Sequence, residues 1–504
     1  MEIRGVKLKK QTRLPKHSGF FVLKPPEHYS VPLLADDGDH PIRIVSVGQK
    51  VKEGSLIAKP NGRYGSYVYS PTSGKVVGVV KKLNASGNEC EHVVITRDLD
   101  DEKECLTPLS NNEEHDKEKL LKRLYESGII DNFAPFDPAY KKYLLKCTIN
   151  SLIINCTEDD PYRLNDTALI ETYLSEIVEG AKYLMNIAGA KNIVFIFRTK
   201  QKPLAKKVIK YIKEINQSKL IKVKFYPNVY PLNNSRLIAY YETGKIVAEG
   251  SRTAQTSVII DSPNNCFDFY NAVRKGEPCI QRAVTVSGNN CLRKANYFIK
   301  NGTPIEHILN VVGLKNSNYD NMLIYGGVMS GVAQETLDIS ATLTATCILF
   351  SNSEEYIKGA ETVCINCGKC VSVCPVRLHV KNLDQAIKQK DYVEVKRLKV
   401  GACIGCGACS FVCPAKRFLS QRISFAKDYL AGKTFKKPNS SEYVLVEGND
   451  ILKDKHFVGF DRILQSTEQF KASNKEESEI PEIESMLNML NKEKSQFGGG
   501  EDGK

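Results

Sequence analysis

Cys364-Ile-Asn-Cys367-Gly-Lys-Cys370-Val-Ser-Val-Cys374-Pro375 is repeated as Cys403-Ile-Gly-Cys406-Gly-Ala-Cys409-Ser-Phe-Val-Cys413-Pro414. Each copy has the spacing C-x2-C-x2-C-x3-C-P. Two-residue gaps let one tight loop aim three thiolates at three iron corners of a cubane. Small residues such as Gly368, Gly407 and Ala408 let the backbone approach its sulfides. The fourth cysteine, followed by proline, turns away towards the other cluster. The spacing therefore predicts two [4Fe–4S] clusters, one on Cys364, Cys367, Cys370 and Cys413, the other on Cys403, Cys406, Cys409 and Cys374. A zinc ribbon would leave cysteines over, and a disulfide framework would need an oxidising compartment. Between the copies, Leu383, Ala386 and Ile387 recur at helical spacing and predict an inserted helical arm. Ligated by cysteine alone, such a unit carries single electrons and offers no open site for substrate chemistry.

Outside the repeats the chain is too long for one core. Its 504 residues suggest three or four domains. A hydrophobic content of 42% with 26% charged residues is ordinary for a globular protein. No apolar run approaches the ~18 residues that span a bilayer, and the basic N-terminus MEIRGVKLKKQTRLPK has no apolar signal core, so the expected compartment is the cytoplasm. Of 16 cysteines, the eight outside the repeats are scattered singly and are expected to be small buried hydrophobes. The net charge of +13 sits on the body of the chain, because Lys471–Lys504 holds five Lys against eight Asp and Glu. No zinc finger, RNA-recognition signature or Arg-rich tract points to nucleic acid.

Residues 1–110 are expected to form a β-rich module. Val45–Gly54 and Ser70–Val77 carry short Val-rich runs between Gly and Pro turns, similar to a biotinyl/lipoyl-like hammerhead. The turn Pro71-Thr72-Ser73-Gly74 lacks the lysine that would carry a prosthetic group, so the module is taken as structural. Residues 111–255 alternate strand and helix. Leu152–Asn155, Ile193–Phe197 and Leu220–Tyr226 are apolar runs, and Ile170, Tyr173, Leu174, Ile177, Ala181 and Leu184 keep helical spacing between the first two. This predicts a parallel, Rossmann-like sheet covered by helices. In 256–350, Val284-Thr285-Val286 and a helix opening at Ile305 after Gly302-Thr303-Pro304 suit a β-grasp unit of the SLBB type. The two-cluster ferredoxin-like domain follows at 351–430. The extension 431–504 is expected to be largely disordered, with one short partner-binding helix at Ile483, Met486, Leu487 and Leu490.

This order of modules, with Lys24-Pro25-Pro26-Glu27, Tyr226-Pro227, Thr243-Gly244-Lys245, Val284–Gly288, Gly302-Thr303-Pro304 and Tyr325-Gly326-Gly327-Val328-Met329-Ser330-Gly331, resembles the RnfC subunit of the Rnf electron-transport complex. The resemblance covers roughly residues 15–430. It implies a peripheral subunit on the cytoplasmic side of a membrane-bound, ion-pumping complex that moves electrons between ferredoxin and NAD. Its partners would be the other subunits and ferredoxin or a similar carrier. A related architecture, the soluble PduS-like flavin or cobalamin reductases, is the alternative.

The family's Rossmann-like domain is expected to hold FMN and meet NADH through a loop resembling G-I-V-G-L-G-G-A-G-F-P-T. Here the corresponding stretch, after Gly128, reads Asp131-Asn132-Phe133-Ala134-Pro135-Phe136-Asp137. A carboxylate repels phosphate, Phe133 blocks backbone approach and Pro135 removes an amide donor. The neighbouring Asn155–Tyr162 keeps the family's N-x-x-E-x-E-P-Y except that Asp160 replaces glutamate. The expectation is that the isolated chain binds neither FMN nor NADH tightly, the flavin site being degenerate near Gly128, Asp131 and Tyr162.

Overall fold

The computed structural model describes residues 4–9, 19–33, 40–62, 65–85, 87, 89–133, 137–145, 147–315, 322–334, 336–352, 361–432 and 444–448. The acidic tail and its candidate helix, like Ala134, Pro135 and Phe136, lie outside them. Among the described residues no helix is long and apolar enough to cross a membrane.

The N-terminal module is all β, as its Val-rich runs predict. The long strands Gly74–Leu83 and Glu89–Arg97 pair antiparallel, His28–Pro32 flanks the second, and a small three-stranded sheet, made by Ile42–Arg43, Leu56–Lys59 and Val68–Tyr69, accompanies them. The turn at Pro71–Gly74 points inward: Ser70, Thr72 and Ser73 are buried, and Ser73 Oγ donates to Asp98 at 2.7 Å. An extension missed in the sequence closes this sheet. Val444–Gly448 pairs antiparallel with Gly74–Leu83, so part of the C-terminal extension is ordered against the first module.

The central unit is a parallel sheet in the order Ile221–Tyr226, Asn192–Arg198, Ser151–Asn155, Val258–Asp261. Its fourth strand comes from beyond residue 255, so the boundary expected there falls inside the unit. Helices Leu174–Ala188, Lys202–Glu214 and Pro263–Arg274 cover one face through Val178, Val208 and Phe269, while Ser235–Thr243 covers the other through Ile238 and Ala239. Covering both faces is what a parallel sheet requires. Helices 174–188 and 263–274 approach so closely that a Cβ at Gly180 would lie 1.9 Å from the Cys266 carbonyl oxygen. The periodic run expected as one helix is broken at Tyr173, which separates Asn165–Thr172 from Leu174–Ala188.

A third, mixed sheet is ordered Phe20–Phe21, Ala295–Lys300, Gln281–Ser287, Cys347–Ser351, Met322–Tyr325, Val332–Gln334. Its first strand belongs by sequence to the N-terminal module, another departure from the expected boundaries. The helix Ile305–Val312 begins after Pro304 as predicted. Of the scattered cysteines, Cys90, Cys156, Cys266, Cys279, Cys291 and Cys347 are buried, whereas Cys147 is half-buried and Cys105 is exposed.

The cysteine repeats fold as two halves with matching elements 39 positions apart. The short helices Lys369–Ser372 and Ala408–Phe411 each follow a glycine with φ near 72°, Gly368 and Gly407. Each half then runs through a positive-φ basic residue, Arg377 or Lys416, into a longer helix, Val380–Lys388 or Leu419–Leu430. The expected helical arm is the first of these, and its Leu383 and Ile387 pack against Leu419 and Ile423 of the second.

Candidate functional site: two cysteine cages and a filled crevice

The halves interlock so that each cage draws on both. Cys364, Cys367 and Cys370 share one hollow with Cys413, lined also by Pro414, Ala415 and Leu419. On the other side, the Cys374 thiol lies close enough to Cys403, Cys406 and Cys409 for their charges to interact. Burial pushes the Cys406 thiol up to about 11 and the Cys409 thiol up to about 12, and neighbouring cysteines add to both shifts. Thiols so raised surrender their protons to a cationic group, not to water. Backbone amides point at the sulfurs: Leu378 N–H donates to Cys374 Sγ at 3.2 Å. Four convergent cysteines per cage, small residues in the loops and amides aimed at sulfur fit a cubane's donor set.

A charged brace holds the halves together. Arg417 and Arg422, on the second half, both donate to Asp384 on the helical arm, Arg422 Nε at 2.6 Å. Arg422 Nη1 also reaches Glu361 at 2.6 Å, as does Lys388 at 2.7 Å. Burial pushes the Glu361 carboxyl up, but the bonds from Arg422, Lys388 and the Phe418 amide outweigh it and hold it at about 2.

The two cages face different surroundings. The loop of the second repeat is pressed onto the body: Tyr230 Oη donates to the Cys406 carbonyl at 2.6 Å, and Ala408 is fully buried with Val6 and Tyr230. A Cβ on Gly407 would lie 2.3 Å from the Met329 carbonyl oxygen. Met329 belongs to the Tyr325–Gly331 loop, which rests on Asp160, whose Oδ1 accepts from Tyr162 N–H at 3.0 Å. Thus Asp160, Tyr162, Gly327 and Met329, far apart in sequence, meet beside Cys406. The first repeat opens outward instead: Cys367 is exposed, and so are the neighbouring Val363 (84% exposed) and Ile365 (67%).

In an open parallel sheet, ligands bind beyond the carboxyl ends of the strands where the strand order reverses. Here that point lies between Ser151–Asn155 and Val258–Asp261, and the chain fills it with its own residues. Lys142 Nζ sits 3.1 Å from Asp131 and 3.0 Å from Asp261, and Tyr143 Oη donates to Asp261 at 2.6 Å. All are buried or nearly so, and the Phe133 ring packs against the apolar face that carries Ile153, Val194 and Ile260. From the third sheet, Arg282 donates to Asn132 at 2.9 Å and to the Ile130 carbonyl at 2.5 Å, fastening the same segment. The sequence reading of Asp131 as a free repulsive charge is corrected by this geometry, because Lys142 neutralises it. Asp131 and Phe133 of this segment occupy the crevice. Sequence could not reveal Lys142, Asp261 or Arg282 as its partners, since they come from three separate elements. Tyr162 is buried among Ile324, Cys347 and Leu349, a packing role.

Three family models match the chain: the RnfC barrel sandwich hybrid domain over residues 2–100, the Nuo51 FMN-binding domain over 133–267 and the 4Fe-4S dicluster domain over 356–414. The C subunit of the ion-translocating oxidoreductase complex of Edwardsiella ictaluri (strain 93-146) is 29% identical over 353 residues, covering 69% of this chain and 44% of the relative. The protein of the same description in Actinobacillus succinogenes (strain ATCC 55618 / DSM 22257 / CCUG 43843 / 130Z) is 29% identical over 370 residues, covering 73% and 52%. The chain spans about half the length of these curated relatives. Among solved structures, an NAD+-reducing [NiFe]-hydrogenase in the H2-reduced state shows a partial likeness, with a TM-score of 0.44 at 13% identity over 65% of this chain and 70% of that one.

Proposed function

We propose that this RnfC-like chain is the iron–sulfur electron-transfer subunit of an Rnf-like, ion-translocating oxidoreductase complex, and that it relays electrons without a flavin of its own. The observation that carries the reading is the pair of interlocked cysteine cages on one braced unit, one cage against the body and one facing out. In this reading Cys374, Cys403, Cys406 and Cys409 hold the inner cluster, and Cys364, Cys367, Cys370 and Cys413 the outer. The chemistry supplied there is one-electron transfer. The protein's part is to fix two clusters on one rigid unit, to shield the inner one beneath Tyr230 and Met329, and to leave the outer one open to a carrier such as ferredoxin. The parallel-sheet unit is read as Rossmann-like and the third sheet as SLBB-like, with the first as a docking scaffold whose ligand crevice has been given over to Asp131, Phe133 and Lys142. The chain would sit peripherally on the cytoplasmic face, bound through the other subunits.

The test is purification without oxygen, iron and sulfide analysis, and incubation with excess FMN followed by desalting. The expected result is about eight iron atoms and about eight acid-labile sulfides per chain, two electron paramagnetic resonance signals on reduction, and no retained flavin. Near-stoichiometric FMN that bleaches on NADH addition would sink the flavin-free relay and restore an NADH-linked role.

A further inference from the structure

We propose that the lysine face of helix 202–214 binds an anionic lipid surface. Residues 199–224 contain nine lysines, one glutamate and no arginine. Lys202, Lys206, Lys210 and Lys213 follow one another at spacings of four, four and three, which puts them on one side of the helix, and all are exposed. The opposite side, with Leu204, Val208 and Ile212, is buried against the sheet. Lys219, in the turn that leads from the helix to the edge strand, is exposed as well, whereas Lys222 and Lys224 point to the opposite side of the sheet, where Lys224 meets Glu242. Neutralisation on the helix is partial: Lys207 pairs with Glu171 at 3.2 Å and Lys210 with Glu214 at 3.6 Å. Among the described residues Lys202, Lys206, Lys213 and Lys219 have no acidic partner.

Like charges at this density repel one another, so the face is at its lowest energy beside a negative surface. Its composition favours a diffuse surface over a protein. Recognition of specific carboxylates uses arginine's planar fork and aromatic anchors; this face has neither, apart from Phe225 at its rim, which is 40% exposed. Lysine is a hydrated point charge on a long flexible stem, suited to a plane of lipid headgroups, where several such charges act together. The proposal rests on the preceding reading only for the presence of a membrane nearby.

The experiment uses the full chain with its clusters in place and two kinds of vesicle, phosphatidylcholine alone and phosphatidylcholine with about one-third phosphatidylglycerol. Co-sedimentation is expected with the anionic vesicles only, falling steeply as salt is raised from about 0.1 M to about 0.5 M. The variant Lys202→Gln/Lys206→Gln/Lys210→Gln/Lys213→Gln should partition at least about 100-fold more weakly while keeping its iron content. Should that variant lose iron, the milder Lys206→Gln/Lys213→Gln gives a second reading, with about a tenfold loss expected. Equal binding to both vesicles, no binding to either, or undiminished binding by the variants would overturn the proposal; absence of binding would leave an acidic protein as the partner of this face. Cluster signals in the same samples report on the electron-relay reading independently.

Discussion

Lys142 holds two buried carboxylates, Asp131 and Asp261, from opposite sides of the crevice. Removing one member of a buried ion cluster leaves the rest uncompensated, which costs about 3–5 kcal/mol. Lys142→Met is therefore expected to lower the stability of the parallel-sheet unit by that amount, read as a shift of its denaturant midpoint, without creating flavin binding. A variant as stable as the parent would show that Lys142 is not what seats Asp131. Cys413 makes the complementary case at the cages. It lies next to Pro414 in the second repeat yet shares a hollow with Cys364, Cys367 and Cys370. Cys413→Ser should weaken or abolish the electron paramagnetic resonance signal of the outer cluster and spare that of Cys403, Cys406 and Cys409; loss of the inner signal alone would refute the crossed arrangement. The cysteines were legible in the sequence because their spacing is local and is itself the geometry. Lys142 was not, because nothing within a few residues of it announces the carboxylates it meets.

At the scale of elements, the strand Glu89–Arg97 carries His92 into the core of the N-terminal module, where its Nδ1 lies 3.1 Å from Ser30 Oγ. Burial, followed by the nearby charge of Lys82, holds the imidazole well below its ordinary value of 6.5. In the unfolded chain the same ring takes up a proton near 6.5, so the unfolded state binds more protons below that pH. Stability contributed by the neutral ring is thus lost as pH falls through 6.5, by about 1.4 kcal/mol for each further unit. Thermal unfolding of the module should therefore steepen its pH dependence between about pH 7.5 and about pH 5.5, and His92→Gln should flatten it; an unchanged slope would mean another group is responsible. Elements also show where periodicity fails. The break at Tyr173 has a tertiary cause, since its ring packs 4.7 Å from Phe267 and 6.0 Å from Phe298, joining a helix and a strand from elsewhere. The apolar spacing through residues 170–184 is continuous and could not show it. Likewise Val444–Gly448 is a short apolar run between Pro438–Ser441 and Gly448–Asp450, and what makes it a strand is the open edge of Gly74–Leu83.

On the scale of the whole molecule, three sheet-containing units and a cysteine-rich unit are tied together by chain segments that cross expected boundaries, including Phe20–Phe21, Val258–Asp261 and Val444–Gly448. The proposed place of this molecule in a membrane complex predicts that membrane fractions from cells retain it and that disrupting the integral subunits releases it. Recovery from the soluble fraction with those subunits intact would favour a soluble reductase instead. The sequence alone determined the cysteine repeats, the alternation of strands and helices in residues 151–226, the β character of the first module and the unusual composition of the 131–137 loop. These rest on short-range rules: ligand spacing, the two periods of helix and strand, and the conformational limits of individual residues. The tertiary structure decided which cage faces inward, what fills the crevice and which segments complete each sheet. Those outcomes depend on charges and surfaces more than a hundred residues apart, such as Lys142 with Asp261 and Tyr230 with Cys406, which become neighbours through folding.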